Sequence, residues 1–311
     1  MIDLRQLRQF VAVAEELNFR RAAERLHMSQ PPLTQTVKSL ERALGTKLFD
    51  RSRRKVELTR PGRLLLDQAQ SVLSHMDRAL DAVRASAQGL SGRLAIGVVP
   101  STTYGILPAI LRLFRERHPS VDLHLEELAT VDQTDALQQG RIDVALNRPP
   151  TFFSRGLVQE TLMRETLIAA LPTHHPLASR KRLRVADLRQ EAFLLIPPRW
   201  GTGYHKRVLD ACHAAGFVPR IAHEPKHLHT MVGMVAAGLG VAMVPRSLAS
   251  LTPPGCVYRT LGSGAAAPTI DLGAAWHAED QAPALHGFLD AARTVARELS
   301  ADDRLRRSRA T

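Results

Sequence analysis

Pro31 and Pro32 stand side by side in a stretch whose apolar residues otherwise recur at helical spacing. A proline is tolerated in a helix only in the first turn, where its missing N–H costs little. A helix therefore starts here, with Ser29 placed to cap it and Gln30 next in line. Just upstream, Phe19, Ala22, Ala23 and Leu26 carry the spacing of another helix, behind the capping side chain of Asn18. Residues 19–41 thus read as two short helices around a tight turn, a helix-turn-helix. In the second helix Leu33, Val37, Leu40 and Leu44 share one side, while Pro31, Thr34, Gln35 and Lys38 share the other. That outer side is nearly free of acid. Thr34 and Gln35 are short hydrogen-bonding side chains suited to base edges, and Lys38 lies one turn on, where a phosphate would be met.

A polar helix face alone is more often solvated surface, but the next segment favours a nucleic-acid partner. Leu48 and Phe49 open a strand-like stretch, Asp50 to Lys55 reads as a cationic turn, and Val56-Glu57-Leu58 alternates back as a second strand, which together make a wing. From Lys38 to Arg60 there are eight basic residues against Glu41, Asp50 and Glu57, so the chain's net charge of +12 is concentrated on this helix and wing. Gln6, Leu7 and Phe10, then Ala22-Ala23, Ser29-Gln30-Pro31, Leu40-Glu41, Gly45, Leu48-Phe49, Arg51 and Leu58-Thr59 resemble the LysR-type transcriptional regulators in identity and order. Two positions depart from that pattern: Arg53-Arg54-Lys55 lacks a glycine often found at the wing tip, and Pro61 replaces a commoner alanine. Pro61 is acceptable in the first turn of a helix capped by Thr59. The resemblance implies that Gln30, Pro31, Pro32, Thr34, Gln35 and Lys38, with Arg51, Arg53 and Arg54 of the wing, face double-stranded operator DNA.

At 311 residues the chain has room for two or three cores. Cys212 and Cys256 are isolated, with no CxxC, which fits a reducing compartment and no disulfide. The N-terminus opens on an amphipathic helix and no apolar run reaches spanning length, so a cytoplasmic protein with no membrane partner is expected. No cofactor is implied.

The expected divisions are a winged helix-turn-helix over residues 1–58, a linker helix over 59–89, one effector lobe over 92–163 plus 265–300, a second over 164–264, and a disordered charged tail over 301–311. In the linker helix Leu65, Ala69, Val72, Met76, Leu80 and Val83 recur at spacings of three and four. Such a stripe packs either on its own domain or on a second copy. Polar residues on the other faces, and the hinge-like Gly89-Leu90-Ser91-Gly92, favour the second copy. A dimer would present two recognition helices to a two-fold operator. The family resemblance implies tetramers that bend DNA, and the reading also admits RNA polymerase as a partner.

From Arg93 short apolar strands alternate with helices, which implies an α/β half with a parallel sheet. Strands are expected over 94–99, 121–128, 142–146, 167–171, 193–196, 241–244 and 268–276, and helices over 107–114, 131–139, 205–215, 228–237 and 282–299. The resemblance extends here more loosely. It implies a two-lobed, periplasmic-binding-protein-like effector domain, with the chain crossing between lobes near Met163 and Gly264.

Ligands of open α/β sheets bind beyond the carboxyl ends of strands. Those positions hold Pro100-Ser101-Thr102-Thr103 at a helix start, Ala129-Thr130, Asn147-Arg148, and Trp200-Gly201-Thr202-Gly203-Tyr204. Arg148, beside Pro149 and Pro150, either takes a ligand carboxylate in bidentate fashion or pairs with Asp143 or another lobe residue. Ser101 and Thr130 are equally readable as simple caps. Glu126-Glu127-Leu128-Ala129-Thr130, Asn147-Arg148-Pro149 and Gly216-Phe217-Val218-Pro219-Arg220-Ile221 are similar to the members that control breakdown of aromatic compounds. That similarity implies small carboxylates such as benzoate or muconate as effectors and Ser101, Thr102, Thr130, Arg148, Thr202 and Tyr204 as pocket residues. Thr202 and Gly203 depart from what that subgroup often carries.

Competing readings have less behind them. His223, Glu224, His227 and His229 have a loose metal-like spacing, but His227 and His229 are two apart, whereas helical ligand pairs use i, i+4. An enzyme would place Ser101 as nucleophile, yet no GxSxG surrounds it, no phosphate loop occurs, and no close carboxylate pair stands out as an acid/base couple. An architectural DNA-packaging protein would have no use for the α/β half.

Overall fold

The computed structural model describes residues 2–53, 55–88, 92–149, 156–262 and 267–308. The chain forms two compact units, Met1–Gly89 with Gln138–Arg141, and Leu90–Leu137 with Ile142–Thr311.

The first unit runs α1 (Leu4–Glu16), α2 (Phe19–Arg25), α3 (Gln30–Leu44), β1 (Phe49–Arg53), β2 (Lys55–Leu58) and α4 (Arg60–Gln88). A capping box starts α1, with Gln6 N–H donating to Asp3 Oδ1 at 2.8 Å and Asp3 N–H donating to Gln6 Oε1 at 3.1 Å. Asn18 caps α2 as expected, its Oδ1 accepting from Arg20 and Arg21 N–H. Ser29 occupies the cap position of α3 but makes no side-chain cap hydrogen bond, so the prolines in the first turn mark that start alone. The core joins Phe10, Val13, Phe19, Ala22, Leu33, Val37, Leu40, Leu48 and Phe49. Phe49 lies between Phe10 and Phe19 with ring centroids 5.5 and 5.7 Å away. Leu44 does not join them. It is 41% exposed, because α3's last turn, closed by left-handed Gly45, runs past the core.

Thr59 caps α4, accepting Gly62 N–H at 3.0 Å while its hydroxyl donates to Lys47 O at 2.7 Å. Gly62 is fixed by close approach, since a Cβ there would stand 2.1 Å from Leu48 O. Ala69 is buried, and Leu65 and Leu66 pack on the domain core. Beyond them Val72, Met76 and Leu80 are exposed (47%, 37% and 38%), and the Val83 side chain lies outside the described set. The stripe therefore divides: its first turns belong to the unit's own core, and the next turns carry apolar side chains that the chain itself leaves uncovered.

The second unit begins with β3 (Arg93–Val98), α5 (Leu107–Arg117), β4 (Asp122–Glu127), α6 (Thr130–Gln138), β5 (Val144–Asn147) and β6 (Leu157–Pro172). It continues through β7 (Arg182–Leu183), β8 (Ala192–Leu194), α7 (Pro198–Ala214), β9 (Arg220–His223), α8 (Leu228–Ala236), β10 (Ala242–Pro245), β11 (Cys256–Leu261), β12 (Thr269–His277) and α9 (Pro283–Ser308). Strands pair in the order β4-β3-β5-β12-β6-β11-β7, with β10 also on β6. The sheet is mixed rather than parallel: β3, β4 and β5 are parallel, but β12 runs antiparallel to β5 and β6, and β10 and β11 run antiparallel to β6.

β6 serves both lobes. Up to Thr166 it pairs with β12, and from Leu167 it pairs with β10 and β11. The first crossing thus falls at Thr166–Leu167, beyond Met163, which still pairs with Leu272. The crossing expected at Gly264 lies outside the described residues, as does Pro150. Lobe I packs Ile96, Ile110, Phe114, Leu146, Phe288 and Leu289, and lobe II packs Leu167 to Leu171 with Phe193, Val208, Met231 and Val244. Helix α9 continues to Ser308, into the segment expected to be disordered. Ala301, Arg304, Leu305, Arg306 and Arg307, all good helix formers, make up most of that run, which has no glycine or proline.

Candidate functional site

In α3 the buried row Leu33, Val37 and Leu40 fixes what faces out: Gln30, Pro31, Pro32, Gln35 and Lys38 are exposed. Thr34 is half-buried and its hydroxyl donates to Gln30 O at 3.1 Å, so its proton is engaged by the helix itself. Glu41 explains why the outer face has so little acid. Only 4% exposed, its Oε1 accepts Leu48 N–H at 2.9 Å and Phe49 N–H at 3.3 Å, and Lys47 Nζ lies 3.6 Å from Oε2. One carboxylate thus ties the end of α3 to the first strand of the wing. The sequence signal was there, an acid adjoining Leu40 on the apolar side, but its partners are backbone groups that no residue type reveals.

The wing strands reach further than the sequence pattern suggested. Phe49 pairs with Leu58, Asp50 with Glu57 and Arg53 with Lys55, with an irregularity between. Arg51 and Arg53 therefore stand on β1 instead of in a long turn, Arg54 lies outside the described residues, and the side chains of Arg51 and Arg53 are likewise not described.

In the second unit a cavity of about 550 Å³ lies where β6 crosses between lobes. Ser101, Thr102 and Arg148 line it from lobe I, Met163 to Thr166 from β6, Arg246 and Ser247 from the turn after β10, Leu272 from β12, and Leu299 and Ser300 from α9. Three arginines (Arg148, Arg164 and Arg246) and one carboxylate, Glu165, are among these walls.

Arg148 is 5% exposed at the end of β5. Its Nη1 lies 2.8 Å from Glu165 Oε2, and its buried Nε has no acceptor among the described residues. Glu165 is the ion-pair partner, while Asp143 accepts Ala95 N–H at 2.8 Å. The other oxygen of Glu165 accepts Ser247 N–H at 2.7 Å. Burial pushes the Glu165 carboxyl up, but the Arg148 charge and the Ser247 hydrogen bonds outweigh it and hold it below the ordinary carboxylate value. Beside the cavity, buried Asp271 takes Arg164 Nε at 2.7 Å and, from α7 of lobe II, Arg207 Nη2 at 3.0 Å.

Of the other expected pocket residues, Ser101 and Thr102 line the cavity and Thr130, Thr202 and Tyr204 do not. Ser101 and Thr102 are in a single 3-10 turn, Pro100–Tyr104, where Thr102 donates both its N–H and its hydroxyl to Val99 O, so the free helix amides expected for an anion are absent at Thr102. Thr130 is buried at the start of α6, and Thr202 donates to Pro198 O at 3.0 Å. Neither lines the cavity. Tyr204 is a core residue of lobe II: it is 3% exposed, its hydroxyl donates to Met243 O at 2.7 Å, and burial pushes its phenol pKa well up. The cause is α7. A kink at Gly201 re-aims the helix, and Gly203 presents bare backbone to the chain at Arg148, where a Cβ would stand 2.2 Å from Arg148 O. Glu165, Arg246 and Ser247 went unnoticed in the sequence. Strand-end reasoning applied to residues 241–244 reaches Arg246 and Ser247, but nothing local marks Glu165, which lies inside a strand.

His227 and His229 stack with centroids 5.2 Å apart and planes at 10°, and burial, then the His229 and Lys226 charges, hold His227 low. Glu224 points to Arg199 at 3.8 Å, and Lys226 sits over the Trp200 ring. Among the described residues no group of three or more His, Cys, Asp or Glu could hold a metal, and no helix is long and apolar enough to cross a membrane.

Residues 4–63 match the family described as bacterial regulatory helix-turn-helix protein, lysR family, and residues 87–297 match the LysR substrate binding domain. The chain is 37% identical over 276 residues to the HTH-type transcriptional regulator AlsR of Bacillus subtilis, covering 88% of this chain and 89% of that one. It is 38% identical over 270 residues to the HTH-type transcriptional regulator CatR of Pseudomonas putida, covering 86% and 92%. Full-length CbnR complexed with its target DNA superposes with a TM-score of 0.78 at 30% identity, covering 94% of this chain and all of that one.

Proposed function

The chain belongs to the LysR family of bacterial DNA-binding transcriptional regulators with an effector-binding domain, and we propose that it reads its operator with α3 and the wing and answers to a small carboxylate at Arg148. For DNA, the support is the exposed row Gln30, Pro31, Gln35 and Lys38 opposite a fully buried face, with Arg51 and Arg53 following on β1 and Arg54 next in sequence. The structure of CbnR with DNA concerns a relative of the same architecture. Gln35 suits a base edge and Lys38 a phosphate. Val72, Met76 and Leu80 pair with the same stripe of a second copy, which supplies the second recognition helix.

For the ligand, the carrying observation is Arg148: a guanidinium 5% exposed, on the wall of a cavity, with Nε lacking an acceptor among the described residues. A planar carboxylate matches its fork, and Ser101 adds a hydroxyl to the same walls, while the Thr102 proton is held by Val99 O. Ile106, Met163, Leu272 and Leu299 give the same cavity an apolar wall, so the ligand has a carbon body as well as a charge. Thr130, Thr202 and Tyr204 have no part in this reading. An aromatic carboxylate and a non-aromatic one both fit these walls.

A thermal-shift screen of small carboxylates on the full chain tests it. A binding acid should raise the melting temperature of the wild type and leave Arg148→Met unmoved, while operator binding by that variant persists. A variant that still answers to the same acid removes Arg148 from the site.

A further inference from the structure

Arg148 already faces a carboxylate. Glu165 Oε2 lies 2.8 Å from its Nη1, and the two side chains are 6% and 11% exposed, so a ligand carboxylate approaching this guanidinium meets a like charge in a partly dry site. We infer that Glu165 is a built-in occupant of the anion site, and that ligand binding is an exchange in which the ligand's carboxylate takes the guanidinium edge that Glu165 holds. This rests on the reading of Arg148 as the ligand's counter-ion.

Three features of the site argue for exchange over simple addition. Among the described residues Arg148 is incompletely satisfied by Glu165, since its buried Nε has no acceptor there, so an incoming carboxylate has a donor to engage before Glu165 leaves. Glu165 has somewhere to stay: its other oxygen accepts Ser247 N–H from lobe II at 2.7 Å, and that bond does not depend on Arg148. The position is also mechanical. Glu165 is the residue before Thr166, the last rung of β6 in lobe I, so exchange cuts its hold on the Arg148 side and leaves its hold on the Ser247 side of the crossing. Burial pushes the Glu165 carboxyl up while the Arg148 charge outweighs it, so the occupant is anionic and competes with anions. A neutral ligand would leave Arg148 buried without a counter-charge if it expelled Glu165, so the exchange selects for anions.

The test uses the full-length chain, Glu165→Gln, Arg148→Met and the double variant, titrated in thermal shift with benzoate, adipate and sulfate. Glutamine keeps a carbonyl for Ser247 N–H but removes the competing charge. Half-saturation of Glu165→Gln should fall about tenfold or more below that of the wild type, the scale of one charge-assisted contact, and both proteins carrying Arg148→Met should lose the response. Equal half-saturation in wild type and Glu165→Gln, with Arg148→Met silent, overturns the exchange and leaves Arg148 as the counter-ion. Equal binding by all four proteins, or none by any, overturns the Arg148 reading itself. Glu165→Ala substitutes should the glutamine variant not fold, with the same expectations.

Discussion

Glu41 shows how one side chain sets the character of a surface it does not occupy. Turned inward onto Leu48 and Phe49 N–H, it removes an acid from the outer face of α3 and fastens the wing to that helix. Glu41→Ala strands two backbone donors and should lower unfolding stability by about 2–4 kcal/mol in urea melts of the full chain, since hydrogen bonds to charged groups contribute roughly 1.5–3 kcal/mol each and are not additive. The outward residues separate by role. Gln35→Ala should relax operator preference by about 1–3 kcal/mol at the position read, whereas Lys38→Ala should weaken binding to every sequence and lower the salt slope by about one, both measured by fluorescence anisotropy across salt. Equal loss at all sequences in both variants removes α3 as the reader. At this scale the sequence was partly transparent. Asn18 and Thr59 cap as their spacing suggested, because a cap depends on local chain geometry alone. Tyr204 was opaque, because its direction is decided by a kink at Gly201 and by packing against Met243 far along the chain.

Among the elements, α4 carries two sequence messages in one periodic pattern. Leu65 and Ala69 satisfy the fold of their own unit, and Val72, Met76 and Leu80 do not. Period alone cannot distinguish these, since both halves have the same spacing. Met76→Glu should leave the far-ultraviolet circular dichroism unchanged and shift sedimentation toward a smaller species; an unaltered distribution removes this stripe from the interface. Helix α7 is defined by a missing side chain. Gly203→Val places carbon against Arg148 O and should cost about 1–3 kcal/mol or more by overpacking, read from the melting midpoint, with Gly233→Ala, inside α8 and with nothing within 4 Å of its added Cβ, as a comparison expected to gain slightly. Strand β6 was seen only in its second half because residues 167–172 form a continuous apolar run, while the first half is partly exposed and mixed in polarity. The mixed pairing of the sheet was hidden for a related reason: an edge or central strand has the same composition whichever way its neighbour runs.

For the molecule as a whole, the division into a DNA-facing unit and an α/β unit was legible because each has a distinct periodicity, 3.6 in one and alternating strands and helices in the other. Which lobe residues meet at the cavity was not, since β5, β6, the turn after β10 and α9 come together from distant parts of the chain. The α/β unit should also lose stability in acid. Glu165 is held below the ordinary carboxylate value, with Arg148 and Ser247 prevailing over burial, and Asp187 is held low by Arg184 N–H, against burial, and by the Arg184 and Arg180 charges. Groups with depressed folded values contribute fully above the unfolded carboxylate range and lose that contribution as pH falls through the folded one. The melting temperature should therefore decline below that range, more steeply in wild type than in Glu165→Gln. The two lobes share β6 as an unbroken thread, hydrogen-bonded along its first part to one and along its last part to the other. A thread can bend or twist between its two ladders but cannot slide without tearing one of them, so any movement of one lobe against the other is expected as rotation at Thr166–Leu167.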